Sequence, residues 1–198
     1  MPVLMHGARR VARWGQWFGG ALMLLAAVLI AVDVVMRKFF DASIGGADEL
    51  AGYALALGTA WALAAALLER AHIRIDSLYV LLPRRLRFAL DVAGLTFLIT
   101  FFGLVAWHGW SMAAQSWSAG SRSQSALQTP VVIPQSIWLI GLIVFVVIGV
   151  ALLLRALGLA ARGHYAAVAN LISTRSAEEE VEDEVRDLRE RSGRGDDR

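Results

Sequence analysis

The side chains able to do chemistry in this chain are few, and they stand at the edges of long apolar runs rather than inside them. Asp33 and Arg37 lie four residues apart just past the first run, so on a helix they share a face and can pair, with a contact to a partner as the second reading. Asp48 and Glu49 open the second run, where negative charge meets the positive end of a helix and Asp48 is placed to cap it. Further on, His72-Ile-Arg74-Ile-Asp76 precedes Pro83 and the basic Arg84, Arg85 and Arg87. This segment reads as interfacial, its apolar residues entering the headgroup boundary while its arginines meet anionic lipid. His72 and His108 raise the possibility of haem held between facing helices, but only His108 falls inside an apolar run, and it lies near the end of that run. No second axial ligand is therefore available at matching depth. The chain has no cysteine, which excludes disulfides, thiolate metal sites and a cysteine nucleophile. No acid and base stand paired and no metal-ligand spacing occurs, so no catalytic, cofactor-binding or metal-binding residue is assigned and an enzyme is disfavoured.

The elements that must position these residues are membrane helices. Of the 198 residues 57% are hydrophobic and 18% charged, with a mean hydropathy of +0.55, too apolar for a soluble domain of this length. Uncharged runs cover residues 14–32, 50–68, 92–114 and 131–154. A run of nineteen residues at about 1.5 Å rise covers about 28 Å, close to the roughly 30 Å hydrocarbon core of a bilayer. The apolar residues do not alternate with polar ones, so a barrel strand is excluded. The expected fold is all-α, with four transmembrane helices near 14–36, 48–68, 88–114 and 132–155. Arg9, Arg10 and Arg13 precede the first run as they would in a signal peptide, but the run is too long for a secretory h-region, and an uncleaved helix is expected.

Charge distribution sets the expected orientation. Lys and Arg in the flanking segments number 11 on the side of the N-terminus, central loop and C-terminus against 3 on the other. Both termini are thus expected in the cytoplasm. Trp14 and Trp17 mark one interface, and Trp107, Trp110, Trp117 and Trp138 the other. The arginines flank apolar runs instead of lining one face, so the pI near 9.5 does not signal nucleic acid. The expected division is a cytoplasmic N-terminus over 1–13, a membrane domain over 14–160 and a charged cytoplasmic tail over 161–198, part of it disordered. From residue 174 onward the tail holds 10 acidic and 6 basic residues, a composition that suits either a short surface helix or disorder.

An absence carries much of the functional reading. No Asp, Glu, Lys or Arg lies near the middle of a span, where proton relays and coupling-ion sites normally place an ionisable group. The polar groups at that depth are Thr59, Thr96, Thr100 and the Trp61 indole. Paired Gly/Pro-broken helices, another mark of a transport site, are also lacking. The chain is not expected to form a transport pathway alone. Gly52, Ala56, Ala60 and Ala64 form a small-residue stripe on the second helix that would admit another helix closely, although ten of the nineteen residues over 50–68 are Gly or Ala.

In order and spacing, these elements resemble the small membrane subunit of tripartite ATP-independent periplasmic (TRAP) transporters, the DctQ-like family. The resemblance rests on Arg37 after the first helix, Gly46-Ala-Asp48-Glu49-Leu50 opening the second, and His72-Ile-Arg-Ile-Asp76 followed by Leu82-Pro83-Arg84. A serine-rich outer loop, Ser123 to Pro130, then leads through Ile133-Pro134 into the fourth helix. The aromatic residue often found between those two prolines is replaced by Val131-Val132-Ile133. The resemblance covers about residues 14–160 and leaves out the charged tail.

It implies a bacterial inner-membrane, multi-pass subunit that scaffolds a large membrane subunit. That large subunit would hold the substrate and sodium sites, so no cofactor is expected here. A periplasmic solute-binding protein would deliver a small solute, an organic acid, for secondary uptake without ATP hydrolysis. The partners implied are thus those two proteins and the bilayer. An orphan four-helix membrane protein, acting in assembly or signalling, would share the same composition.

Overall fold

In the computed structural model, residues 2–70, 82–172 and 185 are described, and every regular element among them is helical. Four long helices carry the apolar runs: α1 (Pro2–Phe40), α2 (Ala47–Leu68), α3 (Arg84–Ser118) and α4 (Val132–Ala161). Each is long and apolar enough to cross a bilayer, which makes the chain a multi-pass membrane protein. A fifth, short helix, α5 (Tyr165–Ile172), packs against α3 and α4 and buries Val168.

The helices extend beyond the uncharged runs. The helix of α1 starts at Pro2, and α4 continues to Ala161 before Gly163 adopts a φ of 75°. This follows from hydrogen bonding, since a helix continues into the interface as long as its backbone groups find partners. The central segment 71–81 and nearly all of the tail lie outside the described residues.

Contacts run in the order α1–α2–α4–α3, so the two hairpins meet along α2 and α4. The central pair is the more enclosed: 39% of the apolar window is buried in each, against 11% in α1 and 17% in α3. The enclosed core gathers Ala64, Leu67, Ile99, Phe145, Ile148 and Leu152, with Phe102 set edge-on to Phe145 at 4.8 Å between ring centroids. Trp61 joins the hairpins, its indole Nε1 donating to the Ile137 carbonyl at 3.1 Å while Phe18 of α1 packs edge-on against its ring. Between α1 and α2 the backbones nearly touch. A Cβ placed on Gly19 would stand 2.6 Å from the Gly58 carbonyl oxygen, so only glycine permits this spacing.

The small-residue stripe divides in two. Ala60 and Ala64 are buried within the bundle, whereas Gly52 and Ala56 are exposed, and a Cβ on Gly52 would meet nothing within 4 Å.

Candidate functional site

Charged and hydroxyl side chains converge where two connections meet, residues 41–46 between α1 and α2 and residues 119–131 between α3 and α4. Asp33, in the last two turns of α1, is fully buried. Its Oδ2 accepts from Arg37 Nε at 2.6 Å and pairs with Arg37 Nη2. Its Oδ1 reaches past the helix end to accept from the Ile44 backbone N–H at 2.6 Å and the Ser43 hydroxyl at 3.1 Å. The expected i,i+4 pair is therefore present, and the same carboxylate anchors the connection to α2. Arg37 in turn lies 3.7 Å from Asp48, whose side chain is 83% exposed.

The start of α2 corrects one expectation. Gly46, at φ 92°, occupies the N-cap position with no side-chain cap, and Asp48 falls in the first turn instead. A chain entering the helix through a left-handed residue moves the cap two positions earlier, leaving Asp48 its favourable charge at the helix N-terminus and its contact with Arg37. Gly46 is also required sterically, because an added Cβ would lie 2.5 Å from the Leu127 side chain.

Glu49 ties this connection to the other. Ser125 donates its hydroxyl to Glu49 Oε2, and the hydroxyls of Tyr53, Ser123 and Thr129 also surround the carboxylate. Its Oε1 is buried without a hydrogen-bond partner of its own. The connection between α3 and α4 is ordered internally: Ser123 N–H donates to the Thr129 carbonyl at 2.9 Å, and Ser123 Oγ accepts from Thr129 N–H at 2.9 Å. Arg122 Nη1 donates to the Gln128 carbonyl, and Gln128 takes a φ of 47° to close the turn. Pro130 pairs with Arg122 in an isolated bridge, and Pro134 is buried in the first turn of α4, where its missing N–H costs no helix bond.

Below this polar cap a cleft of about 170 Å³ opens between α2, α3 and α4, lined by Tyr53, Ala56, Met112, Pro134, Gln135 and Trp138. Gln135 Oε1 is buried there without a partner.

The structure thus brings Asp33, Arg37, Asp48, Glu49, Pro130 and Pro134 to one end of the bundle, with Ala56 bordering the cleft beneath and Gly52 on the open face of α2. His72, Arg74 and Asp76 lie outside the described residues. Ser43, Ser125, Tyr53 and Gln135 belong to the arrangement and escape a sequence reading. Their only signals are the Gly45-Gly46 doublet and the spaced serines 123 and 125. Asp91, buried near the start of α3, is a further charge that the runs alone do not single out.

The hydrogen bonds and ion pairs of the cap tie the two connections together. No group of three or more His, Cys, Asp or Glu able to hold a metal occurs among the described residues. The carboxylates are engaged by a guanidinium, an amide and hydroxyls. At mid-depth, Thr59 and Thr96 donate to their own helices, to the Leu55 and Val92 carbonyls at 2.7 Å each.

Comparison with known protein families adds one match. The family model described as "Tripartite ATP-independent periplasmic transporters, DctQ component" matches residues 26–159, more than half of the chain. No curated protein and no solved structure matches it.

Proposed function

The chain belongs to the DctQ component family of tripartite ATP-independent periplasmic transporters, a family of small permease subunits, and from that premise we propose that it is a scaffold. It holds a large membrane subunit that carries the solute and sodium sites, while a periplasmic binding protein supplies the solute, an organic acid. The observation that carries this reading is the charge-free interior of every span, with Thr59 and Thr96 at mid-depth bonded to their own helices. A coupling-ion or proton site at that depth needs an ionisable or otherwise uncommitted polar group. The exposed lengths of α1 and α3 and the open face at Gly52 and Ala56 supply surface for a partner. In this reading the chain sits in the bacterial inner membrane with both termini cytoplasmic and the polar cap facing the periplasm, as the arginine and lysine distribution favours.

The test is reconstitution. Liposomes holding this chain alone are expected to show no solute uptake under a sodium gradient, and adding the large subunit and the binding protein should produce it. Replacing Gly52 and Ala56 with Leu should weaken co-purification of the large subunit more than replacing Thr96 and Thr100 with Val, because bulk on a packing face separates backbones. Uptake by the lone chain would overturn the scaffold role, and unchanged co-purification would move the interface elsewhere.

A further inference from the structure

Far from the polar cap, the N-terminal half of α1 carries a second constellation. Arg9, Arg13, Gln16, Gly20 and Leu24 follow one another at intervals of four, three, four and four residues, the spacing of a single helix face. The first part of this stripe borders a polar cleft of about 320 Å³ between α1 and the end of α2, floored by Ala12 and Ala65 and edged by Glu69. Ala12 and Ala65 are buried, and their small side chains leave the space open. Arg9 and Arg13 are exposed, and neither forms a hydrogen bond or ion pair among the described residues. Glu69 shares the cleft without pairing to either arginine.

Gln16 also belongs to an apolar groove that continues along α1 past Trp17 and Gly20 to Leu24. A Cβ at Gly20 would meet nothing within 4 Å, so the groove is open at this position, and Trp17, 75% exposed, walls it. The eight residue steps from Gln16 to Leu24 span about 12 Å at helical rise, close to the roughly 15 Å of hydrocarbon in one leaflet.

A polar cleft with two uncommitted guanidinium groups, followed by an apolar channel one leaflet deep, has the polarity profile of a phospholipid. We propose that this face of α1 is a phospholipid site in which Arg9 and Arg13 hold the phosphodiester, one acyl chain lies along Gly20, and Glu69 selects a headgroup bearing a primary ammonium. Two guanidinium groups and one carboxylate complement a phosphate and an ammonium together. A glycerol headgroup would leave Glu69 facing the phosphate with no cation between them.

Native mass spectrometry of the full chain, purified in mild detergent, stripped of lipid and titrated with phosphatidylethanolamine, phosphatidylglycerol or inorganic phosphate, tests this directly. Phosphatidylethanolamine is expected to bind more tightly than phosphatidylglycerol, and the double variant Arg9→Ala/Arg13→Ala to lose about tenfold in affinity for both. Glu69→Gln should abolish the preference between the two lipids. Gly20→Leu, which fills the groove without touching the cleft, should weaken lipid binding with no change in thermal stability, and it supplies an independent check if removal of the arginines impairs insertion. Equal binding of both lipids by the parent chain would overturn the headgroup assignment, undiminished binding by Gly20→Leu would overturn the acyl groove, and displacement of lipid by millimolar phosphate would make this a free-anion site.

Discussion

Asp33 shows how one side chain holds an element boundary together. A carboxylate closed off from solvent needs donors for both oxygens, and it finds them in Arg37, Ser43 and the Ile44 amide. Asn at this position keeps the shape but turns an NH2 group toward groups that themselves donate. Asp33→Asn is therefore expected to lower the melting temperature and speed proteolysis within 38–46, and Asp48→Asn to do much less, because an exposed pair at 3.7 Å contributes little. Equal cleavage rates for the two variants would show that the connection is held by something else. Spacing alone predicts the Asp33–Arg37 pair, since both partners share a helix face. The Ile44 and Ser43 bonds depend on how the chain turns after Phe40, and the Ser125–Glu49 bond joins residues 76 apart in sequence, beyond the reach of any local pattern.

Among the elements, α2 explains both what was legible and what was not. Its apolar length makes the helix plain, but a stripe of residues spaced by four drifts about 40° per step on a helix of 3.6 residues per turn. Over the twelve residues from Gly52 to Ala64 the drift is about 120°, enough to carry the stripe from an open face into the bundle. One set of small residues thus meets two surroundings. The closest approach of α1 to α2 uses Gly58 against Gly19, a pairing that needs both helices to be seen together. Gly19→Leu is expected to destabilise the isolated chain by about 1–3 kcal/mol through forced separation of α1 from α2, whereas Gly52→Leu should leave its melting temperature unchanged. Because the chain has no native cysteine, disulfide trapping between engineered positions at Ala12 and Ala65 can report the separation without background. Retained cross-linking in Gly19→Leu would show that the helices slide rather than part.

For the whole molecule, the proposed orientation yields a direct measurement. A reporter active only in the cytoplasm should work when fused after residue 83 or residue 198 and stay silent after residue 122; the reverse pattern would invert the bundle and move the polar cap to the cytoplasmic side. Four spans and their order are legible in composition because each run alone matches the bilayer. The order α1–α2–α4–α3 is not, since four apolar faces of similar character leave the neighbour of each helix to be decided by glycine contacts and by the Trp61–Ile137 bond. Nor is α5 evident, as eight residues beyond a span carry too little periodicity to stand out. The joining of the hairpins along α2 and α4 also sets a sequence of events in biogenesis. The partners for the α1–α2 hairpin and its Asp33 anchor are all present once residue 70 has been made, whereas Trp61 and Glu49 must wait for Ile137 and Ser125. The newborn first half therefore waits in the membrane with its inner seam facing lipid, and closure of the seam is the step that tells a completed subunit from an interrupted one.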